Sequence, residues 1–359
     1  MIIGHGGNID VAAKRIGCLP CEIIDMSSNI NPLGTMPGLL DFLKQNIACA
    51  GVLPEADANA VQLAFARRYD VDPRQVLAGN GVTQFIYALP LVLKTKRALI
   101  LGPTYADYAD ACKMQGAVYE YCHTLASEQF QYNPDKIHQY LRHSDTVFIC
   151  NPNNPAGAMI PKTTLKKLCQ EYPDIRFVVD ESYLPFVSNG DQESMLCTGL
   201  TNVIIFNSMS KIFAVPGLRI GFMVATPSVI QKFQQHWPPW SVNGLAQKAI
   251  LWLMQRKDAT DSFIRQTVRF VLTEKEQFAA LLKDNTNIRQ FPSSTGFMLA
   301  RINGNKTAAD VGEKLLQHKI LIRNCANFEG LSENYFRVAL KSASVNRMLA
   351  EGLSALADK

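Results

Sequence analysis

The chain has 359 residues, 47% of them hydrophobic, enough to bury a large core in one large domain with a smaller companion. Its 36 Lys and Arg against 31 Asp and Glu leave a net charge of +5 with no basic run, which argues against nucleic acid and suits a cationic pocket for anionic ligands. No run of about 18 apolar residues and no charged-then-apolar leader is present, so the reading is a cytoplasmic protein with no membrane partner.

The N-terminal part opens on His5-Gly6-Gly7-Asn8, continues into an amphipathic segment over 9–16 and reaches Ser28-Asn29-Ile30-Asn31-Pro32-Leu33-Gly34. Glycines beside a histidine let backbone approach a ligand, and an asparagine ahead of a proline fixes an extended turn. A loop over a site and an ordinary N-terminal loop are both open readings. Residues 61–69 predict a helix. Val76-Leu77-Ala78 predicts a strand entering Gly79-Asn80-Gly81, and 82–93 predicts a further helix. Strand, glycine turn and helix N-terminus make an anion site, because unpaired N–H groups point outward along the positive end of the helix dipole. Thr83 adds a hydroxyl there.

Residues 97–101 predict a strand that ends at Gly102-Pro103-Thr104-Tyr105, placing an aromatic face just past a strand end. Residues 146–150 predict another, running into Asn151-Pro152-Asn153-Asn154-Pro155-Ala156-Gly157. Two X-Pro pairs keep that loop extended and leave asparagine amides free for a ligand. After a helix over 161–172, Arg176-Phe177-Val178-Val179-Asp180 predicts a buried strand with an acid at its end, followed by Glu181-Ser182-Tyr183. A carboxylate there is costly unless paired, and a protonated ring nitrogen is a suitable partner. Val203-Ile204-Ile205-Phe206 then leads into Ser208-Met209-Ser210-Lys211 and on to Pro216-Gly217-Leu218-Arg219-Ile220-Gly221-Phe222. A lysine at the mouth of a buried strand loses its proton by desolvation or neighbouring charge and becomes a nucleophile toward an aldehyde. Two serines and Arg219 beside it suit a phosphate, although the tetrapeptide alone equally describes a surface lysine. Strands and helices alternate through this half, which predicts a mostly parallel sheet covered on both faces.

From about Pro238 the pattern changes. Trp237-Pro238-Pro239-Trp240-Ser241-Val242-Asn243 reads as a linker-like turn. Helices over 245–255 and 261–282, strands over 296–300, 320–323 and 336–340, and a last helix from Val345 predict an α+β domain. Arg323 and Arg337 lie on or beside apolar strands, so each meets either an anionic ligand or an internal Asp or Glu. Nine cysteines, mostly in apolar surroundings, read as reduced thiols. Cys18 and Cys21 form a CxxC without the further ligands that zinc needs, so no metal is implied.

Taken together, the helix N-terminus, tyrosine, asparagine loop, strand-end acid, lysine and following arginine occur in the order of one known constellation. The chain resembles the fold type I enzymes dependent on pyridoxal 5′-phosphate, in the class I/II aminotransferase superfamily, over essentially its whole length. The Asn-Pro-Asn-Asn-Pro, Asp-x-x-Tyr and Ser-x-Ser-Lys…Arg set carries that resemblance. It implies an α/β fold whose large domain has a mostly parallel seven-stranded sheet sandwiched by helices, plus a smaller α+β domain. An N-terminal arm would cover 1–40, the large cofactor-binding domain 41–240 and the small domain 241–359. By the same resemblance Lys211 forms the Schiff base with the cofactor, and Asp180 pairs with its ring nitrogen. Asn154 and Tyr183 bond the ring oxygen, and Tyr105 stacks on the ring. Ser208, Ser210, Arg219, Thr83 and the amides of Gly81 and Val82 hold the phosphate. Lys211, Asp180 and Tyr183 form the catalytic set.

Within the superfamily, the His5-Gly6-Gly7-Asn8 opening, the Asn29 segment, Pro239-Trp240-Ser241-Val242-Asn243 and Ile322-Arg323-Asn324-Cys325-Ala326-Asn327-Phe328 resemble the threonine-phosphate decarboxylases of cobalamin biosynthesis. Those enzymes are similar to histidinol-phosphate aminotransferases. The resemblance implies decarboxylation of a phosphorylated amino acid, L-threonine O-3-phosphate, to 1-aminopropan-2-yl phosphate. His5, Gly6, Asn29, Asn154, Arg323 and Arg337 then line the substrate side, and the enzyme is a homodimer. A histidinol-phosphate-type transaminase is the alternative, and a non-catalytic cofactor-binding module is a third reading. Three positions depart from the pattern. Leu53 stands where relatives carry a tyrosine that reaches the neighbouring subunit's cofactor phosphate, Val82 replaces an acid and Ala156 replaces a threonine.

Overall fold

Seven strands build the main sheet of the computed structural model, in the order Val76–Gly79, Gly221–Val224, Val203–Ser208, Arg176–Asp180, Thr146–Cys150, Arg97–Gly102 and Val118–His123. The structure describes residues 5–355; residues 1–4 and 356–359, the outermost parts of the expected arm and small domain, lie outside the described residues. Gly221–Val224 runs antiparallel to both of its neighbours, and every other pair in this sheet is parallel. Thr146–Cys150 and Val203–Ser208 are buried at every position, as continuous apolar strands are when helices cover both faces of a sheet. Phe65, Phe85, Leu165 and Phe233 from the helices pack with those strands in one core.

The register sets the position of the chemistry. Asp180 lies opposite both Cys150 and Phe206, so the acid and the strand leading to Lys211 open on the same carboxyl edge. Ligands bind along that edge in sheets of this kind. The helix Val82–Leu93 starts at the residue the sequence predicts, and Asn59–Tyr69 starts slightly earlier than predicted. The edge strand Val118–His123 and the antiparallel Gly221–Val224 are not predicted. The first alternates exposed and half-buried residues around a single buried one, Cys122, instead of forming an apolar run, and the second is a four-residue element.

The C-terminal part forms a second, antiparallel sheet in the order Arg323–Asn324, Tyr335–Ala339, Phe297–Ile302, Ile288–Gln290. Here the expected strand over 320–323 is corrected. Ile320–Leu321 pairs in parallel with Ile24–Asp25, whereas Arg323–Asn324 joins the antiparallel sheet. The chain changes partner at Ile322, and this turns Arg323 onto the strand beside Arg337. Met26 is fully buried among Phe278, Ile320 and Phe336, so the N-terminal segment is packed into the C-terminal core.

Candidate active site

Ser208 ends its strand and caps the short helix Met209–Ile212, its Oγ accepting from the Ser210 amide at 3.3 Å. Lys211 lies in that turn. Its carbonyl accepts from the Asn31 amide at 3.1 Å, and Asn31 Nδ2 donates to Ile212 O at 2.7 Å and Thr267 Oγ1 at 2.8 Å. Asn31 therefore clamps the lysine turn. Burial pushes the Lys211 ammonium down to about 8, helped by the charges of Arg337 and Arg219 and opposed by Asp180 and Asp25. Asp180 is buried too, and burial raises its carboxyl above the ordinary range. Two donors hold it in place, the Ser182 amide at 2.9 Å on Oδ1 and the Tyr108 hydroxyl at 2.8 Å on Oδ2.

Lys211 stands between two adjoining cavities. One, of about 170 Å³, is bordered by Gly81, Val82 and Thr83 at the helix N-terminus, by Asp180, and by Ser208, Ser210 and Arg219. The other, of about 190 Å³, is bordered by His5, Gly6, Asn29, Arg323 and Arg337. Tyr105, Asn154, Tyr183 and Lys211 border both. The residues expected around the cofactor thus face one space, and those expected around the substrate face the other.

One wall of the first cavity is shaped for an anion. Gly81 has φ +73 and precedes Val82–Leu93 with no side chain over the helix end; a Cβ there would lie 2.7 Å from Arg219 Nη2. Without that Cβ, the helix N-terminus, the guanidinium and the hydroxyls of Thr83, Ser208 and Ser210 share one space.

The second cavity is cationic. Arg323 and Arg337 are cross-strand neighbours with 9% and 5% exposure. Arg337 donates to Asn154 Oδ1 and, at 2.6 Å, to the Ser27 carbonyl, while its Nε has no partner. Among the described residues no carboxylate forms an ion pair with it, so of the two expected readings the internal salt bridge does not hold for Arg337. Arg323 lies 5.1 Å over the Phe328 ring and donates to Asn324 O and, at 2.5 Å, to Asn327 Oδ1. Burial pushes it down to about 10, with Arg337 adding to the fall. Asn29 is buried, and its amide, which makes no close hydrogen bond, borders the cavity beside Tyr183. His5 is partly exposed, its Nε2 3.8 Å from the buried Asp107 Oδ1.

The asparagine loop differs in part from expectation. Asn151 exchanges two hydrogen bonds with Ile160, at 2.9 and 2.8 Å, and Asn153 Oδ1 accepts from the Ala156 amide at 3.2 Å. Asn151 uses both amide atoms on nearby backbone and Asn153 only its Oδ1, while Asn154, whose Oδ1 accepts from Arg337, borders both cavities as expected. Tyr108, Ser27, Asn327 and Phe328 are site residues the sequence reading does not single out. Tyr108 lies in the first turn of the helix Asp107–Met114, three residues after Tyr105, and its ring meets Tyr105 edge-on at 5.9 Å.

Residues 22–356 match the family of class I and II aminotransferases, and the chain belongs to that family. Its particular likenesses are narrower. It is 30% identical over 353 residues to threonine-phosphate decarboxylase of Salmonella typhimurium, covering 97% of this chain and 95% of that one. It is 31% identical to the adenosylcobalamin biosynthesis bifunctional protein CobDQ of Leptospira interrogans over 98% of this chain, but spans only 40% of that longer protein. The crystal structure of L-threonine-O-3-phosphate decarboxylase from Porphyromonas gingivalis superposes with a TM-score of 0.81 at 29% identity, covering 93% of this chain and 99% of that one. Histidinol-phosphate aminotransferase from Clostridium acetobutylicum gives 0.83 at 26% identity, covering 93% and 98%.

The family's cofactor is pyridoxal 5′-phosphate, and the first cavity suits it chemically. The space left by the missing Gly81 Cβ, beside Arg219 and the helix N-terminus, offers donors for a phosphate. A buried acid is available for a ring nitrogen, and a lysine with a lowered pKa is available for an aldehyde.

Proposed function

We propose that the protein decarboxylates an O-phospho-L-amino acid, L-threonine O-3-phosphate, with pyridoxal 5′-phosphate as cofactor, in cobalamin biosynthesis. The observation that carries this reading is one cavity bordered by the buried cross-strand pair Arg323 and Arg337 and by the buried amide of Asn29. Arg337 has no carboxylate partner among the described residues and Arg323 adds positive charge on the adjacent strand, so a ligand bearing both a carboxylate and a phosphate suits this cavity. An amino acid that also bears a phosphate has those two ends, whereas histidinol phosphate has no carboxylate. The names of the Salmonella and Porphyromonas relatives support the same substrate.

In this reading Ser208, Ser210, Thr83, Arg219 and the amides of Gly81 and Val82 hold the cofactor phosphate. Asp180 holds the ring nitrogen, Tyr105 covers the ring face, and Asn154 and Tyr183 face the ring oxygen. When bound, the cofactor supplies an electron sink for whichever bond at the substrate Cα stands perpendicular to its ring. Arg337, fixed by Asn154 and the Ser27 carbonyl, takes the carboxylate. Arg323, Asn29, Gly6 and His5 take the phosphate. Anchoring both ends restricts rotation about the bond between Cα and nitrogen, and so selects the bond that breaks. Lys211 Nζ, with a pKa of about 8, then delivers a proton to Cα in place of the departed carbon dioxide.

The proposal includes the division into 1–40, 41–240 and 241–359, and a cytoplasmic homodimer. Exposed Ile47, Val52, Leu53 and Trp240 support association, and the Trp240 amide donates to Ala56 O at 2.7 Å, three residues beyond Leu53. Among the described residues no helix is long and apolar enough to cross a membrane.

Spectral titration of the holoenzyme with O-phospho-L-threonine and with L-threonine tests the substrate assignment. Tight binding that requires the phosphate is expected; equal affinity for the two would remove the phosphate from the reading.

A further inference from the structure

One segment, residues 237–243, touches both walls of the anion cradle, although none of its residues borders the cavity. The first wall is the Gly79-Asn80-Gly81 turn. Trp237 Nε1 donates to Ala78 O at 3.2 Å, and the indole stacks on Phe85 with centroids 4.8 Å apart. Gly79 makes room for it, since a Cβ there would lie 2.7 Å from the indole. Within the turn, Gln84 Oε1 accepts from the Asn80 amide at 2.6 Å, while Gln84 Nε2 donates to Ser241 Oγ at 3.2 Å. Ser241 Oγ in turn donates to Pro238 O at 2.7 Å, which closes the loop on itself.

The second wall is the turn that carries Arg219. That residue has a left-handed φ of 55, a conformation an L-residue holds only when its surroundings impose it. Asn243 Nδ2 donates to Leu218 O, the carbonyl immediately before Arg219, at 2.7 Å. Its Oδ1 accepts from the Ala246 amide at 2.9 Å and caps the helix Gly244–Gln255. One asparagine thus ties the Arg219 turn to the start of a twelve-residue helix.

We infer that Gln84 and Asn243 are positioning residues for the phosphate cradle. They hold the Gly79-Asn80-Gly81 turn ahead of the helix N-terminus and the Arg219 guanidinium on facing sides of the cavity before the cofactor arrives, so that binding spends little on ordering them. The inference rests on the assignment of Gly81 and Arg219 to the cofactor phosphate. It adds that the tryptophan-containing segment acts on cofactor retention from outside the cavity.

The test uses cofactor-free full-length protein titrated separately with pyridoxal 5′-phosphate and with pyridoxal, which has the aldehyde and ring but no phosphate. Asn243→Ser keeps a capping oxygen for Ala246 and removes the amide donor to Leu218; Gln84→Leu removes both turn bonds and retains side-chain bulk. Each variant is expected to weaken pyridoxal phosphate about tenfold, the equivalent of one net hydrogen bond, and to change pyridoxal by less than about twofold. Equal weakening toward both ligands, or unchanged affinity for both, overturns the inference. Arg219→Ala serves as the control for the assignment beneath it. If that variant shows no selective loss of the phosphorylated ligand, the phosphate assignment itself fails.

Discussion

Arg323 and Arg337 lie directly opposite one another on adjacent antiparallel strands, and both are buried. Like charges in that relation are destabilising, and an anion in the cavity that both border would offset part of that cost. Arg337 is the more constrained, tied to Asn154 on one side and to the Ser27 carbonyl on the other.

Arg337→Ala is therefore expected to cost substrate and spare the cofactor. Removing one partner of a buried charged contact costs about 2–5 kcal/mol, which corresponds to a rise of roughly thirtyfold or more in the KM for O-phospho-L-threonine. Steady-state kinetics with a parallel pyridoxal phosphate titration measures both. An unchanged KM would contradict the role.

Tyr108→Phe removes only the hydroxyl that donates to Asp180 at 2.8 Å and leaves the ring stacked on Phe148 at 5.2 Å. The cofactor-free protein is expected to lose about 1–3 kcal/mol, the range for a bond to a buried carboxyl, in urea unfolding at neutral pH. A variant as stable as the parent would show that Ser182 alone suffices to hold the acid.

Much of this site was legible because the chemistry lies at the ends of apolar runs. Asp180 ends one largely buried strand and Lys211 closely follows another, and the sequence shows where such strands stop. Tyr108 was not legible, since a tyrosine in the first turn of a helix has no periodic signature that separates a hydrogen-bond donor from packing. The asparagine loop was legible in part, since Asn154 borders both cavities but Asn151 does not face them. Its composition shows amides but not their partners, and Asn151 bonds Ile160 across a turn whose geometry only the folded chain supplies. The break at Ile322 was hidden because Ile320 and Arg323 pair with different strands, a choice made by the arrival of Ile24 from the far end of the chain.

Lys211 gives a pH prediction. Burial first, and then the charges of Arg337 and Arg219, hold its ammonium down at about 8. The rate at which cofactor-free protein captures pyridoxal phosphate, followed by absorbance, is expected to rise with pH through a midpoint near 8. In Arg337→Ala, where a neighbouring positive charge is gone, the midpoint moves upward. A midpoint at the ordinary lysine value of 10.5 in the parent would contradict the buried environment.

Glu181 gives a second. Burial pushes its carboxyl up to about 7 from 4.5, against donors Ser194 Oγ and Met195 N at 2.6 Å each. The folded state therefore keeps the proton where the unfolded chain has lost it. The stability from this group is fully present below about 4.5 and is lost as pH rises toward 7. Glu181→Gln lacks that loss, so its stability relative to the parent is expected to climb across this window and level off above it. A gap independent of pH, measured by urea unfolding at several pH values, would rule the shift out.

The most direct test of the central claim is the product formed from O-phospho-L-threonine by the purified holoenzyme, with and without 2-oxoglutarate. Carbon dioxide and 1-aminopropan-2-yl phosphate are expected in equal amounts, whether or not the oxo acid is present. Glutamate formation that requires 2-oxoglutarate, without carbon dioxide, would contradict the decarboxylase and make the protein a transaminase.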